Sequence, residues 1–179
     1  MNKLAGDRRR GSRPVLACTG AVALTIALPT FAQAQELPAS IQAPGETPLL
    51  TVHAEGAQVY ECKADTAGKL AWAFREPIAT LLRDGKTIGR HYAGAKWELD
   101  DGGGVQGKVE GKAPGAGASD IAWLKLSVAA HFGRGLLSDA ATVQRINTRG
   151  GGLDGACEAA GAFRSVAYSA DYVFLKKGG

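Results

Sequence analysis

Apolar and polar side chains alternate with a period of two along several stretches of this chain, and that alternation constrains its fold more than any other feature. Leu70, Trp72 and Phe74 are interleaved with Ala71, Ala73 and Arg75. Val166, Tyr168, Ala170, Tyr172 and Phe174 are interleaved with Ala167, Ser169, Asp171, Val173 and Leu175. Gln58, Tyr60 and Cys62 alternate with Val59 and Glu61 in the same way. A strand turns successive side chains to opposite faces, so the pattern is that of strands with unlike faces. Residues 121–130 are apolar on both faces apart from Lys125 and Ser127, which reads as a central strand. Glycines collect between these runs, at Gly102-Gly103-Gly104, at Gly115 and Gly117, and at Gly150-Gly151-Gly152 and Gly155. Many short strands separated by Gly-rich turns predict an all-β domain, an antiparallel sandwich or barrel. Asp84-Gly85, between Ile78–Leu82 and Lys86–Tyr92, predicts a tight hairpin. Residues 139–147 are ambiguous. A short helix capped by Ser138-Asp139 competes there with a strand starting at Ala141, and we read strand.

The first 34 residues stand apart from this pattern. Lys3, Arg8, Arg9, Arg10 and Arg13 form a cationic start, and an uncharged run of 14 residues follows from Val15 to Leu28. Pro29 breaks the run, and Ala32-Gln33-Ala34 is a small-x-small cleavage site, so residues 1–34 read as a secretory signal peptide. A spanning helix needs about 20 apolar residues, so the run is too short for a retained anchor. Residues 35–50 carry Pro38, Pro44 and Pro48 and read as an extended lead-in to a single domain over residues 51–179.

Removing the signal changes what the composition implies. The whole chain carries 21 basic and 17 acidic residues. Residues 1–34 hold five of the bases and one of the acids, which leaves 16 of each. A nucleic-acid binder needs clustered, uncompensated Lys and Arg to displace counterions. A net charge of zero with interspersed signs excludes that class and gives no reason to invoke an anionic membrane surface. Cys18 leaves with the signal, and Cys62 and Cys157 remain. Two cysteines in an oxidising compartment are expected to pair, here as a staple between a strand and a Gly-rich loop, with two buried free thiols as the alternative. The expected location is periplasmic or secreted.

The segment richest in chemistry is residues 89–102. If Ala93-Gly94-Ala95 is a three-residue hairpin loop, Tyr92 faces Lys96, His91 faces Trp97 and Arg90 faces Glu98. Alternation then puts Gly89, His91, Trp97 and Leu99 on one face, which looks like core. Arg90, Tyr92, Lys96, Glu98 and Asp100 fall on the other, which looks like solvent. The plain reading is a histidine packed on a tryptophan and a cross-strand Arg90–Glu98 ion pair. The sharper reading is a binding site in which Trp97 or Tyr92 offers a stacking surface and His91, Glu98 or Asp100 supplies hydrogen bonds, as secreted β modules do for sugars.

Other chemistries find little purchase. Gly102-x-Gly104-x-x-Gly107 and Gly150-x-Gly152-x-x-Gly155 have the dinucleotide-binding spacing, but neither leads into a helix whose N-terminus would meet a pyrophosphate. His53, His91 and His131 lie far apart in sequence with no second ligand at metal-binding spacing. No cofactor and no metal ligand is therefore assigned. No Gly-x-Ser-x-Gly elbow is present. A carboxylate pair for hydrolysis, built on Glu98 and another acid, depends on separation in space.

The run Gln58-Val59-Tyr60-Glu61-Cys62 and the segment Ile88-Gly89-x-His91-Tyr92-Ala93-Gly94-x-x-Trp97-Glu98, with Asp101-Gly102, resemble the domain of unknown function 3455 family. So do Ile121-Ala122-Trp123-Leu124, Arg145-Ile146-Asn147-Thr148-x-Gly150-Gly151 and Val166-Ala167-Tyr168-x-Ala170-x-Tyr172-x-Phe174. The resemblance implies a secreted protein with no established activity. It also implies cysteines at the positions of Cys62 and Cys157, which supports the staple. Ala95 and Gly103 stand where members often carry proline and serine. Together these readings make the chain an exported, non-enzymatic binding or structural module of the envelope or extracellular space. Its partner would be an unidentified small molecule, glycan or protein. A secreted hydrolase using carboxylates with His91 is the competing reading, and a metal-binding protein a third.

Overall fold

The computed structural model describes residues 36–178, so the expected signal peptide lies outside the described residues. Eight antiparallel strands follow one another around a closed barrel. They are β1 (Glu46–Ala64), β2 (Leu70–Arg83), β3 (Lys86–Tyr92), β4 (Lys96–Leu99), β5 (Gly104–Ala113), β6 (Trp123–Phe132), β7 (Thr142–Gly150) and β8 (Phe163–Lys177). The barrel closes where β8 pairs along the length of β1, from Glu46 opposite Lys177 to Glu61 opposite Phe163. Of the two architectures left open by the alternation, the barrel is the one formed. Closure removes the exposed strand edges that a sandwich keeps. Residues 139–147 contain the start of β7, a strand.

Two features depart from the pattern read along the chain. The runs 70–74 and 78–82 belong to one strand, β2. Between them the register shifts: Tyr60 opposes Phe74 while Val59 opposes Glu76, so Arg75 is the extra residue of a bulge. The bulge flips the phase, and the inward set passes from Trp72 and Phe74 to Ala79 and Leu81. The other departure is at the start. β1 begins at Glu46, inside the stretch expected as an extended lead-in, and its pairing with β8 shifts between Pro48 and Leu50. Proline cannot donate to a ladder, and an irregular register near a strand's first residues accommodates it. Ahead of β1, a 3-10 turn at Ala39–Ile41 lies on the outer face of β5–β7. Ile41 packs there on Ala113 and Trp123, Ser40 Oγ donates to the Lys112 carbonyl (2.7 Å) and Gln144 Nε2 donates to the Ile41 carbonyl (2.6 Å).

The two ends of the barrel differ. At one end the β6–β7 loop folds Leu137 inward, where it is fully buried with Leu81, Leu99, Val143 and Phe174. Asp101 pins this plug: one carboxylate oxygen accepts the Leu136 N–H (2.7 Å) and the other the Gly103 N–H (2.9 Å). At the other end sit the 93–95 turn and the long loops 114–122 and 151–162. Cys62 of β1 is bonded to Cys157 of the β7–β8 loop, with Cα atoms 5.9 Å apart. The Trp72 N–H donates to the Gly155 carbonyl (3.1 Å) and the Cys157 N–H to the Leu70 carbonyl (3.3 Å), so the loop is tied to the rim of the sheet. The expected staple is thus a disulfide from strand to Gly-rich loop.

Candidate functional site

The strands place the 89–102 segment in the register read from its sequence: Gly89 opposes Leu99, Arg90 Glu98, His91 Trp97 and Tyr92 Lys96. Gly94 and Ala95 turn the chain in left-handed conformations, φ 80° and 53°. The five candidate binding residues consequently separate. His91 and Trp97 point into the barrel, 4% and 1% exposed. Tyr92 and Glu98 stand on the outer face, where Glu98 Oε2 accepts from Arg90 Nη2 (2.9 Å) and from the Tyr92 hydroxyl (3.0 Å). The Arg90 hydrogen bond, then that of Tyr92, holds the Glu98 carboxyl below its usual range. Asp100 lies at the plugged end, beside a groove shared with Arg83 and Leu136. His91 and Glu98 are therefore on opposite faces of the sheet and do not act on one substrate.

Inside the barrel, His91 and Trp97 stack with ring centroids 4.5 Å apart and planes within 5°. Tyr172 meets both rings edge-on, at 5.0 and 5.3 Å. The His91 Nδ1 lies 2.9 Å from the Lys96 carbonyl, a contact that requires a proton on Nδ1 and leaves Nε2 as an acceptor in the neutral ring. Burial pushes the imidazole down to about 4 against the pull of that hydrogen bond, so the ring is neutral at pH 7. The Trp97 indole N–H is buried with no hydrogen-bond partner among the described residues. A buried donor without a partner forfeits about 1–3 kcal/mol, and Trp97 is also in the wall of an unfilled space.

That space is a cavity of about 280 Å³ between the stacked pair and the open end. Leu124, Leu126, Val109, Phe74 and Pro77 give it an apolar wall, His91, Trp97 and Tyr172 form its inner aromatic wall, and Gly94 and Ala95 lie at its edge. A second, outer cavity of about 600 Å³ adjoins it and is bounded by the loops 118–122 and 152–154 with Gln58, Tyr60 and Trp72. Phe74, Val109, Leu124 and Arg145 line both, so the two spaces meet at these side chains. Phe74 and Val109 remain 55% and 43% exposed, which makes the mouth itself apolar. An eight-stranded barrel is just wide enough for side chains to fill or for one small ligand. Gly107 lets β5 pack close behind the cavity wall, because a Cβ there would stand 3.0 Å from the Trp97 ring and 3.1 Å from Leu126.

Reasoning along the sequence found the aromatic pair and missed Arg145, Tyr172 and Phe74, which line the cavity with it. A signal for Arg145 was present. It shares the inward phase of β7 with buried Val143, and a charged residue in a core phase is unusual. The histidines do not share a site. His53 Nδ1 lies on the outer face, 2.8 Å from Asp171 Oδ1, and His131 Nε2 lies 2.8 Å from the Ala140 carbonyl. Among the described residues no group of three or more His, Cys, Asp or Glu side chains is arranged to hold a metal ion.

No curated protein and no solved structure matches this chain. A family described as protein of unknown function (DUF3455) matches it over residues 43–87 and 82–176. The matched residues run from before the first strand to the penultimate residue of the eighth, through the aromatic pair, Arg145 and the disulfide-bonded loop, and the chain belongs to the DUF3455 family.

Proposed function

We propose that this protein is a binding module that takes a small, largely apolar molecule into the open end of its barrel. One observation carries the reading: Trp97, whose buried Nε1 has no hydrogen-bond partner among the described residues, is part of the wall of an apolar and aromatic cavity. Ligand sites combine such walls with a few fixed polar groups. The disulfide and the signal-like N-terminus support a working place in an oxidising compartment, the periplasm or the extracellular space. The competing hydrolase reading draws no support from this geometry, because the Glu98 carboxylate is engaged outside the barrel and His91 is buried inside it.

The test is a panel of small aromatic and aliphatic molecules titrated into the disulfide-bonded protein. Binding is read by melting temperature and by tryptophan fluorescence. A ligand at a hundredfold its Kd adds about 2.7 kcal/mol, which raises the midpoint by roughly 5 °C or more in a domain of this size. Val109→Trp, which fills the mouth, abolishes the shift. A panel with no shift, or shifts unchanged in Val109→Trp, removes the lumen as the site and leaves a structural role or a protein partner.

A further inference from the structure

Two arginines line the inner cavity: Arg75 is paired with Glu76 (3.1 Å), whereas an apolar ligand leaves Arg145 unexplained. Its guanidinium stands where the inner and outer cavities meet and lines both. Nε and Nη2 donate to the Ala122 carbonyl at 3.1 and 2.8 Å, which fixes the plane of the group, and the guanidinium also reaches the Tyr172 hydroxyl. No carboxylate among the described residues lies within ion-pair distance of it. The two acids of the outer cavity are Asp120 and Asp154. Asp120 is engaged, accepting from the Gly117 N–H (2.9 Å) and the Gly150 N–H (2.6 Å). The charge of Arg145 is felt by His91, Tyr60, Tyr168 and Tyr172, and none of the four is ionised at pH 7. Arg145 is half-buried, so its charge is partly withdrawn from water, and a fixed guanidinium is shaped for a carboxylate.

Resting on the lumen-binding reading above, we propose that the ligand is an apolar monocarboxylate, its carboxylate held by Arg145 at the junction of the cavities and its hydrocarbon body in the inner cavity. The inner cavity lies at the small end for organic ligands, so the body is a single aromatic ring or a short alkyl chain. Leu124, Leu126 and Val109 face that body, and the Trp97–His91 stack closes the space behind it.

Matched acid and alcohol pairs test this: 3-phenylpropionate against 3-phenylpropanol, and octanoate against octanol. Each is titrated into the disulfide-bonded protein, Arg145→Met, Arg145→Lys and Val109→Trp, with affinity read by calorimetry and melting temperature. The expected result is at least a tenfold preference for the acid of one or both pairs in the native protein. That preference weakens in Arg145→Lys, disappears in Arg145→Met, and weakens with added salt. The pair that binds more tightly distinguishes an aromatic from an aliphatic body. Equal affinity for acid and alcohol, both blocked by Val109→Trp, overturns the carboxylate assignment and leaves the lumen as an apolar site. No binding by any of the four, or binding indifferent to Val109→Trp, overturns both. If Arg145→Met does not fold, the native acid-to-alcohol ratio and Arg145→Lys decide the question.

Discussion

At the scale of the residue, His91 carries the clearest consequence. Its ring is neutral because burial among Trp97, Tyr172 and Arg145 makes a second charge expensive. In the unfolded chain the same imidazole takes a proton near pH 6.5, whereas in the fold it does so only near 4. Between those values the unfolded state binds more protons, so stability is full above pH 6.5 and is lost as pH falls toward 4. The span corresponds to roughly 3 kcal/mol from this one group. Urea unfolding at pH 7.5 and pH 4.5 measures it. His91→Leu keeps an apolar filling without a titrating group, and its stability falls less over the same interval. An equal fall in both proteins would mean that His91 is not buried as a neutral ring. The placement of this residue was legible beforehand, since alternation about the Ala93-Gly94-Ala95 turn put His91 beside Trp97 on the core face. Its isolation from Glu98 followed from the same alternation. The cavity beyond it did not, because empty space depends on side chains from seven of the eight strands.

At the scale of the element, turns and glycines decide registers. The β2–β3 hairpin turns at Asp84 and Gly85, both in left-handed backbone at φ 50° and 73°. Two successive positive φ values match the twist of the flanking strands, which is why Asp-Gly is a strong hairpin signal. Gly85 has open space around it, so Gly85→Ala pays only for backbone strain, about 1 kcal/mol. Gly89 has an extended backbone but no space. A Cβ there meets the backbone of Glu98 and, at 2.9 Å, the Leu99 Cα. Gly89→Ala therefore destabilises more than Gly85→Ala, by loosening the β3–β4 pairing under the aromatic pair. Chemical denaturation of the two variants gives the order, and a reversed order would refute the crowding at Gly89. The hairpins were legible because their signals are local. The β2 bulge at Arg75 was not, because the extra residue is defined only against Val59 and Tyr60 on another strand. Along the chain it resembled a break between two strands.

At the scale of the whole molecule, closure and the disulfide set the site. The Cys62–Cys157 bond spans 95 residues and anchors the loop that carries Gly152, Leu153 and Asp154 to the outer cavity. In the chain-entropy model a cross-link of that length contributes about 4–5 kcal/mol. The Cys62→Ala/Cys157→Ala variant is expected to lose stability of that order and to bind lumen ligands more weakly than its melting temperature alone explains. Hydrogen exchange should place the extra opening in residues 151–162. Protection unchanged in that loop would show that its backbone bonds to Leu70 and Trp72 suffice to hold it.

The sequence by itself determined an all-β chain, the hairpin registers, the facing of His91 and Trp97, and the pair of cysteines available to bond. These follow from alternation, turn chemistry and counting, which act over a few residues or depend only on residue type. Only the tertiary structure decided that the sheet closes, that β8 completes the ladder of β1, and that the phase of β2 flips at Arg75. It alone decided that Leu137 plugs one end and Arg145 stands at the open one. Those outcomes depend on pairings across as many as 131 positions, as between Glu46 and Lys177. Their free energy comes from burying side chains distant in sequence against one another, a quantity defined only once the barrel is closed.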